Sequence, residues 1–123
     1  MPVTSRHDDN IIVIEMSGEY SHEEARTVIY NTFMERSHPK NAVLLIDLTE
    51  SKSINQRSSE NIIALADYIN SFREYYNNRL ALVAPDNLKY GLMRMTAATG
   101  ERLGIEINIF REYSKARKWL LTT

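Results

Sequence analysis

AVLLIDL (residues 42–48) decides the fold. It is apolar without interruption from Ala42 to Ile46 and then reaches Asp47. A strand with one wet face alternates apolar and polar residues, whereas a run with no alternation suits a strand buried on both faces. Such strands are characteristic of parallel sheets covered by helices, so this stretch predicts a central strand ending at Asp47.

The segments around it agree. IIVIEM (11–16) is rich in β-branched residues and stops at Ser17-Gly18, as a strand does. Residues from Pro2 to His7 suggest a short edge strand, with Asp8-Asp9-Asn10 as the hairpin turn. Ser21-His22-Glu23-Glu24 has the form of a capping box, in which serine and glutamate satisfy each other's backbone N–H groups. Ala25, Val28, Ile29, Thr32 and Phe33 follow at helical spacing. That helix should end near Arg36, because Pro39 restricts the residue before it.

Beyond the central strand, Ile62, Leu65, Ala66, Ile69, Phe72 and Tyr76 form one helical stripe. They predict a helix of roughly 17–19 residues, stopped by Asn77-Asn78. RLALVAP (79–85) is the next strand, ended by its proline. Asp86 or Asn87 can cap a third helix over about 87–103. IEINIF (105–110) alternates, so it belongs at a sheet edge with one face wet. A last helix turns Ala116, Trp119 and Leu120 inward.

Residues 1–123 thus read as one α/β domain, with a four- to five-stranded, mostly parallel sheet and four helices. If sequential strands are also neighbours, right-handed crossovers place most helices on one face. The N-terminal hairpin is then a candidate cover for the other face.

Composition excludes several functions. Net charge is −1, and no basic stripe stands out, so a nucleic-acid partner is not expected. The absence of cysteine removes disulfides, thiolate nucleophiles and zinc–thiolate sites. The N-terminus lacks a signal-peptide apolar core, and the longest apolar runs, about five residues, fall far short of the ~20 that span a bilayer. A cytoplasmic location is expected.

His7, His22 and His38 are not at metal-ligand spacing, the glycines form no phosphate loop or dinucleotide fingerprint, and G-x-S-x-G is absent. No catalytic residue, metal or cofactor is therefore expected. Asp47 lies where open α/β sheets bind ligands, at the carboxyl end of a strand. A receiver-type phosphoacceptor would need an acidic pair after the first strand and a lysine after the last. Here Asp8-Asp9 precede the strand and Arg111-Glu112 follow Phe110. Asp47 is expected instead to accept backbone N–H bonds from the loop behind it.

That loop, DLTESKSINQRSSENI (47–62), is longer than the usual strand-to-helix connection of about 2–6 residues. It carries four serines: Ser51, Ser53, Ser58 and Ser59. A helix N-cap accounts for Ser58 or Ser59. Asp47 and the four serines together form a candidate partner-facing or phosphorylation rim. Leu88, Tyr90, Leu92, Met93 and Met95 form a second candidate, an apolar cleft along the third helix. Apolar residues at helical spacing are more often core.

VIEMSGEYSHEEA (13–25), LLIDLTE (44–50), RLALVAPDNLKYGLMRM (79–95) and INIFREYSKARKWL (107–120), in that order, resemble the STAS / SpoIIAA-like family. The family includes a branch related in fold to CRAL-TRIO lipid carriers. The resemblance implies a small β/α superhelix and two alternative roles. One is a regulatory module that binds a protein partner, which some members switch by phosphorylating a serine in an Asp-Ser-Ser-Gly motif at the start of the second helix. This chain departs there: Gln56-Arg57 intervene before Ser58-Ser59, and Glu60 stands where the glycine would be. The other role, implied by the SpoIIAA-like branch, is binding an apolar ligand or a membrane surface. A homodimer through either edge strand is open on both readings.

Overall fold

The computed structural model describes residues 2–34, 41–52 and 59–122. Within these residues, five strands form one sheet in the order β1-β2-β3-β4-β5. They are β1 (Val3–Asp8), β2 (Ile11–Met16), β3 (Val43–Asp47), β4 (Arg79–Val83) and β5 (Glu106–Phe110). β1 runs antiparallel to β2, and every other pairing is parallel. Among the described residues, four helices accompany the sheet: α1 (His22–Met34), α2 (Ser59–Asn70), α3 (Asn87–Glu101) and α4 (Tyr113–Leu121).

β3 is the middle strand, and its apolar run is buried on both faces. Leu44 and Ile46 join Ile12, Ile14, Leu80 and Leu82 beneath Ile29 and Phe33 of α1, Leu65 and Ile69 of α2, and Met93 of α3. Val43 and Leu45 join Ile11, Val13, Ala81 and Val83 beneath Ala116 and Leu120 of α4. Each buried aliphatic side chain contributes about 1.5–3 kcal/mol. Removing the alternation from this strand is what allows two cores on one sheet.

The cover on the second face is therefore α4, not the N-terminal hairpin. The hairpin cannot lie over the sheet because β1 extends it in plane, with Asp8 opposite Ile11 and Val3 opposite Met16. Its turn is made by Asp9 in the left-handed region (φ 54°), which aspartate tolerates better than most residues.

The capping box forms as expected. Glu24 N–H donates to Ser21 Oγ at 3.0 Å, and Ser21 N–H donates to Glu24 Oε1 at 3.3 Å. The expected long second helix does not. α2 stops at Asn70, and Arg73–Tyr76 forms a separate 3₁₀ turn. Ser71 Oγ donates to the Tyr68 carbonyl, and Phe72 N–H bonds Ile69 O, three residues back, which tightens the helix end. The tightened turn carries Tyr76 into full burial, where its hydroxyl donates to Ile69 O at 3.2 Å. Phe33 and Phe72 stack beside it, 5.0 Å between ring centroids. Asn77 and Asn78 then end the segment, both left-handed.

Candidate functional site

The parallel strands end together at one rim of the sheet, where the chain leaves β2 through Ser17–Tyr20 and β3 through Leu48–Lys52. The two exits are clipped to each other. Gly18 N–H donates to Glu50 O at 2.7 Å, and Lys52 N–H donates to Gly18 O at 2.9 Å, making a parallel bridge between Gly18 and Ser51. Gly18 has φ 61°, a left-handed conformation that glycine adopts without steric cost. Leu48 N–H reaches across to Val83 O at 3.0 Å, so the rim is fastened to β4 as well.

Ser51 is buried (1% exposed), with its hydroxyl 2.7 Å from that of Tyr20, itself nearly buried. Ser51 therefore faces the interior rather than solvent, contrary to its place in the candidate rim. The Gly18 bridge turns it inward, and Thr49, Glu50 and Lys52 are the exposed residues around it. Asp47 fills the expected structural role: one carboxylate oxygen accepts from Thr49 N–H at 2.9 Å and from the Thr49 hydroxyl at 2.5 Å. Ser53 and Ser58 lie outside the described residues. Ser59 opens α2, but its side chain also lies outside them.

Of the second candidate set, Tyr90 and Met93 have described side chains. Met93 is a core residue, 4% exposed, under the sheet. Tyr90 is half-buried against the same core, with the Arg111 guanidinium 4.6 Å over its ring. The side chains of Leu88, Leu92 and Met95 lie outside the described residues. A groove of about 460 Å³ does run beside α3, between it and β5, and its walls include Arg94, Glu101 and Asn108.

Tyr20 and Gly18 complete the rim without having stood out in the chain. Ser17-Gly18 after a strand signals only a stop, and nothing local pairs Tyr20 with a serine 31 positions away.

A second polar cluster occupies the opposite end of β2, at the hairpin. Asp8 Oδ2 accepts from Arg117 Nε at 2.9 Å and from the Tyr113 hydroxyl at 2.6 Å. Arg117 also bonds Asp9, and Arg6 lies 5.4 Å over the Tyr113 ring. The Arg117 hydrogen bond, then that of Tyr113, holds the Asp8 carboxyl below the ordinary carboxylate range. Burial and the Asp8 hydrogen bond push the Tyr113 phenol up. These contacts fasten α4 to the hairpin. Among the described residues, no group of three His, Cys, Asp or Glu side chains is placed to hold a metal ion. Among them, too, no helix is long and apolar enough to cross a membrane.

The fold is thus a small open α/β domain, four parallel strands and one antiparallel edge, with a clipped rim at the carboxyl ends of β2 and β3. The chain belongs to the SpoIIAA-like family, whose model matches residues 11–121, from the start of β2 to the end of α4. Comparison with curated proteins and with solved structures returned no match.

Proposed function

We propose that this protein is a non-catalytic, cytoplasmic regulatory module of STAS type that docks a protein partner on the rim after β2 and β3. The observation that carries the reading is the Gly18–Ser51 bridge with the buried Tyr20–Ser51 hydroxyl pair behind it. The bridge presents Thr49, Glu50 and Lys52 as an exposed, conformationally fixed edge at the site where open α/β sheets bind. A fixed edge loses less conformational entropy on association than a free loop. A non-catalytic role is supported by Asp47, whose carboxylate is engaged by Thr49 at both backbone and hydroxyl. SpoIIAA-like membership supports the class of function. The apolar-ligand alternative draws less support, because Met93 is committed to the core.

The test is comparative capture from the source cell with the full chain, with Glu50→Lys/Lys52→Glu, and with Lys115→Glu on the exposed face of α4 as control. The expected result is a specific protein retained by the full chain and the control but lost with the rim variant. Equal retention by all three sinks the reading.

A further inference from the structure

Among the described residues, β5 is an edge strand with one side open. Glu106 N–H donates to Asn78 O, and Phe110 O accepts from Ala84 N–H, so Glu106, Asn108 and Phe110 direct their backbone groups toward β4. By the alternation of a strand, Ile107 and Ile109 direct theirs outward. The Ile109 N–H is held in place by its neighbour's side chain, donating to Asn108 Oδ1 at 3.0 Å.

The groove between this edge and α3 has opposite charges at its two ends. Arg94 and Glu101 are both exposed and both line it, with Ala97 and Ala98 between them. Seven residues apart, they share a helix face but stand about 10 Å from each other, too far to pair within one chain. Neither has an ion-pair partner among the described residues.

We propose that two copies of this chain pair edge to edge, β5 against β5, about a twofold axis at Asn108. α3 runs antiparallel to β5, with Gly100 packed directly against Ile107. The midpoint of Arg94 and Glu101 therefore lies about 4 Å further along the strand than Ile107, one strand residue on, which is level with Asn108. A twofold axis there sets each Arg94 beside the partner's Glu101. The same axis sets Ile107 opposite the partner's Ile109, and both present free-side backbone groups, so the two strands exchange four hydrogen bonds. The two Asn108 side chains then meet at the close, non-hydrogen-bonded position on the axis. They release Ile109 N–H to the partner's Ile107 carbonyl and bond each other. Ala98, small and exposed between the two charges, lets the two α3 helices approach. The other edge is unsuited to this: β1 exposes Arg6, which faces Glu15 in its own chain, and charged edges resist pairing.

Sedimentation equilibrium of the full chain over a concentration series tests the proposal. The expected result is a monomer–dimer equilibrium that weakens with salt. Arg94→Glu and Glu101→Arg each bring like charges together twice, and should raise the dimer dissociation constant on the order of tenfold or more. The double exchange Arg94→Glu/Glu101→Arg restores both pairs and should return the constant to near its starting value. Asn108→Lys sets two cations on the axis and should leave only monomer, with an unchanged circular dichroism spectrum. A chain that stays monomeric up to about millimolar concentration, the weakest association of interest, overturns the proposal. A dimer indifferent to the single reversals, or one the double exchange does not restore, overturns it equally.

Discussion

The Tyr20–Ser51 hydroxyl pair is the joint of the rim, and breaking it from either side should show whether the two loops are coupled. The oxygens are 2.7 Å apart in a buried setting. Tyr20→Phe deletes one hydroxyl and leaves Ser51 Oγ buried without that partner, a desolvation loss of about 1–3 kcal/mol. Ser51→Ala deletes the smaller group and takes Ser51 away from the Tyr20 hydroxyl, costing about 1 kcal/mol. The double variant removes donor and acceptor together, so its cost should fall short of the sum by about 1 kcal/mol. In urea, with a dependence of about 1–3 kcal/mol per molar, each single change should lower the unfolding midpoint by about 0.5–1 M. Hydrogen exchange gives the local reading. The Gly18 and Lys52 amides, which make the bridge, should exchange faster in both single variants while the β3 amides keep their protection. Costs that add within about 0.3 kcal/mol would refute the coupling and with it the idea of a clipped rim.

Two further changes address the core and the hairpin cluster. Met93→Ala should destabilise the protein by about 2–5 kcal/mol in denaturant unfolding, since it empties a buried site, and a loss under about 1 kcal/mol would return Met93 to the wall of a cleft. Asp8→Asn tests the α4 fastening through pH: the folded carboxyl titrates below its unfolded value, so its stabilisation is present above the ordinary carboxylate range and is lost as pH falls through the folded value. The variant should be less stable near neutral pH and should show a shallower loss of stability below about pH 4, measured by thermal unfolding over a pH series; an unchanged acid slope would remove Asp8 as a contributor.

The elements that the chain declares locally are the ones the structure repeats. AVLLIDL needs no distant information to be read as doubly buried, and the Ser21–Glu24 box and Asn77-Asn78 stop are each settled within four residues. Where a distant partner decides, local reading fails. The stripe from Ile62 to Tyr76 runs on at helical spacing, yet the chain breaks at Ser71 because Tyr76 is drawn under Phe33, a contact no local pattern encodes. The inward residues of α4 were legible, but the face they cover depends on where the chain goes after β5. The hydrogen bonding of Asp47 is legible because its partner is two residues away, while the burial of Ser51 depends on Gly18 and Tyr20, more than thirty residues upstream.

The position of Ser51 also restricts how such a rim can be regulated. A phosphate adds close to two negative charges and three acceptor oxygens. At 1% exposure, beside the Tyr20 hydroxyl, it would have neither room nor solvent, and a buried charge without a cationic partner is heavily disfavoured. A kinase could reach Ser51 only after the Gly18 bridge opened, and the modified chain could not close it again. Phosphorylation at this serine would dismantle the rim rather than mark it. A reversible switch that keeps the edge folded must act on groups already facing solvent, and Thr49 is one, its hydroxyl donating to Asp47. A phosphate there would sit against the Asp47 carboxylate and repel it, loosening the turn while leaving the Tyr20–Ser51 joint intact.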